Sequence, residues 1–400
     1  MRNYFKTAVI GGGASGLITA IELLSGDNAL KGEDVVVLER NDRVGKKLIA
    51  TGNGQGNLTN EMVGKDNYYG DFGFISTFIS HLNAFSLTEY FSDLGIELVT
   101  GTEGKKYPVS KQASAVLDIM RAYLESKNCT VITGQRVKTL TKKGEIFSLQ
   151  TETDYFTAKT VVMATGGKAG KQFGTDGSAY VLAQNFGHKV SPLYPSLVQL
   201  KTDTTYIRAL KGLKEHAKVT AIVNGKELSS SVGDLLFTDY GVSGNSVFKI
   251  SACLADKQNA SLKIEFLPDF SHKQLVAIID KKKAMAHVLL QDVLCGLLNK
   301  RIGQAVLKYA KSDKTEDIVT ALKDFRLRVN GTLGFDYAQV TKGGIITSDV
   351  DGRTYESKLV DGLYIVGEAL DVDGDCGGYN LTFAFISGIV CARDIKGKIR

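Results

Sequence analysis

The chain has 400 residues, 43% of them hydrophobic and 23% charged, an ordinary composition for a globular protein of two or three domains at roughly 150 residues each. The net charge of +6 is mild, and the five cysteines, Cys129, Cys253, Cys295, Cys376 and Cys391, are scattered without a CxxC pair. This argues against nucleic-acid binding, a disulfide framework or a zinc site, and the lack of a long apolar run argues against a membrane span.

A strand begins almost at the first residue, with no signal-peptide pattern, so a reducing cytoplasm is the expected compartment. Thr7 to Ile10 is a short apolar strand, and Gly11-Gly12-Gly13-Ala14-Ser15-Gly16 follows at once. Residues 17–24 then carry apolar side chains at helical spacing, and Val35 to Leu38 form a second strand that ends in Glu39. This is a whole βαβ unit, which gives GxGxxG its required context. Gly11 permits the tight turn, Gly13 lets a pyrophosphate approach the backbone, and Gly16 lets helix and strand pack closely. The helix N-terminus offers unpaired N–H groups to phosphate. Glu39 can accept hydrogen bonds from ribose hydroxyls and should repel a 2′-phosphate, which favours FAD or NAD over NADP.

Next comes GKKLIATGNGQGNLTN, residues 45–60, with Arg40 and Arg43 just before it. It is too irregular for a helix and too rich in glycine and amide groups for a plain surface turn. It is expected to run along the dinucleotide, with Lys46 and Lys47 near phosphate and Thr51, Gly52 and Asn53 near the flavin ring. A buried strand over 157–163 leads into Ala164-Thr165-Gly166-Gly167, another turn placed to pass the cofactor.

From about 217 the texture changes. Residues 217–223 and 261–266 alternate apolar and polar, as antiparallel strands do, and Asn224-Gly225 signals a hairpin. After Pro268, residues 271–325 read as helical, first at Leu275, Ile278 and Ile279, then from Val288 to Leu298. Lys281-Lys282-Lys283 reads as a solvated helix face. Residues 340–400 resume the first texture. A strand over 363–366 ends in Gly367-Glu368, and Gly377-Gly378 precede an apolar helix from Tyr379. Such a returning strand, acid, glycine turn and helix suit a flavin: the acid can bind ribityl hydroxyls, and the helix N-terminus can stabilise charge on the pyrimidine edge. An NAD dehydrogenase would not need its far C-terminus for its dinucleotide, so FAD is favoured.

The chain resembles the bacterial NAD(P)/FAD-dependent oxidoreductases that include BaiN-like reductases and aminoacetone oxidase-like flavoproteins. The resemblance rests on residues 9–16, 45–60, 195–200 and 236–244, and on Thr341-Lys342-Gly343-Gly344 through Gly367-Glu368 to Gly374. It implies an α/β fold: a Rossmann-like FAD-binding domain at 1–190 and 340–400, an inserted antiparallel β-barrel-like domain at 191–270 and 326–339, and a small helical domain at 271–325. Where the family usually reads Gly-Arg-Cys-Asn, this chain has Gly54-Gln55-Gly56-Asn57. Where the family has Phe-Thr-His-x-Gly-x-Ser-Gly-Pro, it has Asp239 for the histidine and Asn245 for the proline.

The candidate FAD contacts are Gly11, Gly13, Ala14, Ser15, Gly16, Glu39, Arg40, Lys46, Lys47, Thr51, Gly52, Asn53, Asn57, Leu58 and Val137, and, further on, Ala164, Thr165, Gly166, Gly367, Glu368, Gly378, Tyr379, Asn380 and Leu381. Candidate proton donors are Tyr379 and Asn380 at the start of the last helix, Asp239, and Tyr107. His188 reads as a helix C-cap, and the run Asp371, Asp373, Asp375 reads as a solvated loop or as capping of backbone donors near FAD, with no metal expected. The expected activity is that of an oxidoreductase with noncovalent FAD. It would reduce an activated C=C bond of a small organic or steroid-like substrate by hydride transfer through flavin N5, with NAD(P)H as transient donor. An amine oxidase using O2, and a flavin-binding protein with an RNA or partner role and little turnover, are the alternatives.

Overall fold

The computed structural model describes residues 3–255 and 257–398. The chain divides into two units, Met1–Leu193 with Val340–Arg400, and Tyr194–Gln339.

The first unit is built on a seven-stranded sheet. Strand Val35–Leu38 is apolar and buried at every position, as expected where both faces are covered. It pairs in parallel with Tyr4–Ile10 on one side and Thr130–Ile132 on the other. Tyr4–Ile10 pairs in parallel with the long strand Tyr155–Met163. That long strand has two partners. Residues 155–158 pair antiparallel with Ile146–Gln150, and 161–163 pair in parallel with Leu363–Ile365. The resumed C-terminal segment therefore completes the sheet that the N-terminus began.

Helix Ala14–Leu23 packs under this sheet with nearly every residue buried. The last helix, Tyr379–Lys398, crosses it closely at Gly388, where a Cβ would lie 2.7 Å from Ile18 Cγ2 and 2.8 Å from the Ser15 carbonyl oxygen. Only glycine lets the two helices that open toward the cofactor region touch there. His188 is buried, with its ring nitrogen 2.8 Å from Ser357 Oγ. Its backbone N–H closes the preceding helix on Ala183 O at 3.3 Å, with Gly187 at φ +89°, which is a glycine-assisted C-terminal cap.

The second unit holds a closed antiparallel barrel of strands Leu200–Thr202, Gly241–Ser243, Lys226–Phe237, Lys214–Val223, Ala260–Phe266 and Phe325–Thr332, in that order. Ala260–Phe266 alternates strictly between buried and half-buried residues. Asn224 and Gly225, at φ +50° and +80°, form the predicted two-residue hairpin turn. Helices His272–Lys283, Lys300–Ala310 and Thr315–Lys323 share one hydrophobic core with the barrel, including Leu275, Ile279, Ile302, Ile318 and Phe325. Residues 271–325 therefore belong with the barrel rather than standing as a third unit. Residues 288–298 are turns around a short 3-10 piece, not a helix. Gly296 at φ +81° breaks the helical path, and the apolar spacing serves burial of Val293 and Leu294 in an irregular loop. The three lysines at 281–283 form the last turn of their helix, favourable for its dipole. Lys282 also donates to Cys295 O at 2.8 Å.

Candidate functional site

The motif glycines have three distinct reasons. Gly11 has φ +109°, and a Cβ there would overlap the Ala164 carbonyl. A Cβ on Gly16 would overlap the Gly11 carbonyl oxygen, so helix and strand meet backbone to backbone. Gly13 is different, since a Cβ there meets nothing within 4 Å. The protein's own packing does not require that glycine, and the open space before it fits a pyrophosphate. The first bond within the helix runs from Leu17 N to Gly13 O at 2.9 Å. The N–H groups of Ala14, Ser15 and Gly16 thus have no acceptor inside the helix and face the same region.

Glu39 is buried and fixed. Its Oε2 accepts from Gly12 N at 2.8 Å, and its Oε1 accepts from Asn41 N and Asn41 Nδ2, both at 2.8 Å. A carboxylate has about four acceptor sites, so capacity remains for a ribose hydroxyl. Gln135 N donates to Glu39 O at 2.8 Å and brings buried Val137 alongside. Arg40 makes a two-pronged contact with Asp176 at 2.8 and 3.0 Å, and Arg136 lies 3.6 Å from the same carboxylate. Burial pushes the Asp176 carboxyl up, but the Arg40 and Ser178 hydrogen bonds prevail and hold it well below the usual carboxylate range.

Residues 45–60 run through 3-10 turns broken by left-handed positions and end in the short strand Thr59–Asn60. Gly45, Gly52, Asn53, Gly54 and Gly56 all have φ between +56° and +86°. Gln55 N to Gly52 O at 3.1 Å and Gly56 N to Thr51 O at 3.0 Å close the turn, which leaves residues 52–55 exposed. Gln55 points no charge anywhere, and a side chain at 56 would press on Ala113, whose Cα lies 3.1 Å from the Cβ position. Lys46 and Lys47, expected near phosphate, are both bound to carboxylates. Lys46 pairs with Asp42 at 2.6 Å, while Lys47 pairs with Glu368 at 2.6 Å and donates to Ala169 O at 3.2 Å.

Glu368 is the centre of a knot that joins distant segments. Its Oε1 accepts from Thr341 N at 2.9 Å, and Thr341 Oγ1 accepts from Lys168 N at 2.8 Å and Ala169 N at 2.9 Å. Gly166 supplies φ +68°, and a Cβ on Gly167 would lie 2.5 Å from Thr341 Oγ1. Sequence reasoning gave Thr341 no role. Its position in a Thr-Lys-Gly-Gly block was visible, but the two backbone groups it holds lie more than 170 positions away.

At the last helix, Gly377 and Gly378 have φ +135° and +99°. A Cβ on Gly378 would lie 2.5 Å from Thr59 O. Asn60 Nδ2 donates to Gly377 O at 2.9 Å, and the Thr59 and Thr382 hydroxyls lie 2.8 Å apart. The opening stretch is thereby joined to the helix start, and Leu58 and Asn57 are buried beside it. Leu381 follows as a half-buried side chain in the first turn.

The four candidate proton donors fare differently. Tyr379 is buried, with its ring edge-on to Tyr68, and burial raises its phenol above the usual tyrosine value, so it keeps its proton at neutral pH. The Tyr107 ring lies against the turn, 3.4 Å from the Cβ position of Gly52. Asn380 is already committed: its Oδ1 accepts from Gly374 N at 2.8 Å and its Nδ2 donates to Gly374 O at 2.7 Å. It clamps a turn and has little left for a substrate. Asp239 lies on the surface of the barrel unit, 2.7 Å from Lys211. That hydrogen bond holds its carboxyl below the usual range, so it is ionised and unsuited to donate a proton near neutrality.

Asp373 lies in the short strand Val372–Gly374, paired with Tyr68–Gly70, and Asp375 accepts from Tyr69 Oη at 3.0 Å. Among the described residues no three metal-binding side chains gather.

The open face of Gly13, the fixed Glu39, and two helix starts on one unit fit an FAD and define an FAD-dependent oxidoreductase. Residues 5–394 match the model described as HI0933-like protein Rossmann domain, and the chain belongs to that family. It is 35% identical over 405 residues to a 3-dehydro-bile acid delta(4,6)-reductase of Clostridium scindens, covering 97% of this chain and 98% of that one. It is 27% identical over 413 residues to a ribosomal RNA dihydrouridine synthase of Haemophilus influenzae, covering 99% and 100%. Among solved structures, a 3-ketosteroid delta1-dehydrogenase from Sterolibacterium denitrificans aligns with TM-score 0.54 at 12% identity, over 99% of this chain and 100% of that one. At that identity the likeness shows the fold alone.

Proposed function

We propose that this protein is a reductase of an activated C=C bond in a steroid-like small molecule, with noncovalently held FAD and NAD(P)H as electron donor. The observation that carries this reading is the 35% identity, across nearly the whole of both chains, to a protein named a bile acid delta(4,6)-reductase. When bound, FAD supplies two-electron hydride chemistry.

The chain's own residues do the rest. The N–H groups of Ala14, Ser15 and Gly16 receive the pyrophosphate, and Glu39 receives a ribose hydroxyl. Glu368, anchored by Lys47 and Thr341 N, orients the ribityl side. The start of the last helix offers N–H groups to a developing negative charge. Tyr379, held protonated by burial, and Tyr107 are the side chains kept as proton donors, because a reduced C=C bond needs one proton besides the hydride.

The test is anaerobic. Purified protein should show a flavin band near ~450 nm that bleaches with NADH or NADPH and returns on adding a 4-en-3-one steroid. A flavin that bleaches but is not reoxidised by any steroid enone would sink the substrate assignment.

A second reading has its own support: relatives at 27% identity are named ribosomal RNA dihydrouridine synthases. It too is saturation of a conjugated C=C bond, here in uracil. Reoxidation of the reduced protein by ribosomal RNA, with dihydrouridine formed and no response to steroid, would favour it.

A further inference from the structure

Where the opening stretch meets the last helix, one buried polar atom lacks a partner. Asn57 is 9% exposed, and its Oδ1 accepts no hydrogen bond. A buried acceptor left unsatisfied is costly and calls for an explanation. The surrounding donors are spent on one another. Leu58 N donates to Lys106 O at 2.9 Å, and Asn60 Nδ2 donates to Gly377 O and Glu103 O. The Thr382 hydroxyl donates to Gly378 O at 3.0 Å.

The free oxygen lies at the start of the last helix. A Cβ on Gly378 would be 3.0 Å from it. The first bond within that helix runs from Thr382 N to Gly378 O, so the N–H groups of Tyr379, Asn380 and Leu381 have no acceptor inside the helix. One acceptor and a row of donors therefore stand side by side. The pyrimidine edge of a flavin carries the complementary set, an imide N–H between two carbonyls.

We propose that Asn57 Oδ1 accepts the hydrogen bond of the flavin N3–H, while the first-turn N–H groups of the last helix receive the neighbouring C2 carbonyl. This rests on the FAD reading of the cradle and is independent of the substrate. It makes Asn57 the residue that fixes the rotation of the ring. A flavin placed otherwise would set a carbonyl oxygen against the amide oxygen.

The test compares FAD with N3-methyl-FAD, titrated into the apoprotein and followed by flavin fluorescence, with no turnover required. Wild type should bind FAD about tenfold more tightly than the methylated analogue. Asn57→Ala should bring that ratio close to one. Asn57→Asp keeps the shape and can only accept, so it should keep the preference. A preference that survives in Asn57→Ala, or is absent in wild type, overturns the assignment. Its loss in a folded Asn57→Asp overturns the acceptor role. The wild-type and Asn57→Asp ratios decide the matter even if the alanine variant does not fold. Wild type that binds neither flavin fails the FAD reading as well, whereas an intact preference with no NAD(P)H reduction fails only the proposed reaction.

Discussion

Around the start of the first helix the fixed side chains belong to acidic and basic residues. Glu39 is held by three N–H groups, and Arg40 and Arg136 share Asp176. Around the start of the last helix the backbone turn is held by amides and hydroxyls, Asn57, Asn60, Thr59, Thr382 and Asn380, with Asp375 and the Lys105–Glu103 pair close by. Glycine is also used in opposite senses. Gly13 leaves space, and Gly378 removes it, pressing backbone on backbone at Thr59. The open space before Gly13 suits a polyanionic middle of the ligand, and the amides and hydroxyls at the last helix suit the hydrogen-bonding edge of a ring. The two ends should therefore fail differently.

The largest effect should come from Gly16→Ala, whose Cβ overlaps backbone that has nowhere to go. A loss of about 3 kcal/mol or more is expected in denaturant unfolding, with no FAD retained. Gly378→Ala should cost about 2–4 kcal/mol, since it combines a left-handed backbone with a backbone clash. If it were harmless, the close approach at the last helix would not matter. Gly13→Ala should separate the two uses of glycine. The apoprotein should unfold within about 0.5 kcal/mol of wild type, yet FAD affinity should fall at least tenfold, about 1.4 kcal/mol. Equal losses in both measurements would erase the distinction.

The smallest effect is in acid. Asp176 has a depressed value in the folded state, so its contribution is complete above the ordinary aspartate value near ~3.9 and is lost as pH falls through the folded value. Asp176→Asn lacks that contribution at every pH. The Tm gap between wild type and Asp176→Asn should therefore be constant from about pH 7 to pH 5 and narrow below about pH 4. Asn60→Ala, at the last helix, removes no ionisable group and should show a gap with no such narrowing.

What could be read from the sequence was local. The βαβ unit, the Asn224-Gly225 hairpin and the strand before Gly367 each declare themselves within a few residues. The apolar run at 288–298 misled because it has helical spacing, while Gly296 and the lack of caps mark it as a loop. Asn380 and Asp239 looked available because their partners are not visible in sequence: a turn folded back by six residues, and Lys211, which lies 28 residues earlier. Thr341 and the unpartnered Asn57 oxygen are products of long-range packing, which no window of sequence contains.

The strand Tyr155–Met163 waits for its parallel partner, Leu363–Ile365, until some 200 further residues have been made, roughly ten seconds or more at ~5–20 residues per second. During that interval the end of the sheet at Val161–Met163 is an unpaired edge, open to wrong pairing. The barrel unit closes all its strands within residues 194–339, so it can finish folding in the meantime. The second helix start of the site, at Tyr379, lies after the last strand of that sheet, Leu363–Ile365, in chain order. Both halves of the FAD cradle are therefore present only once the residues that complete the sheet have been made.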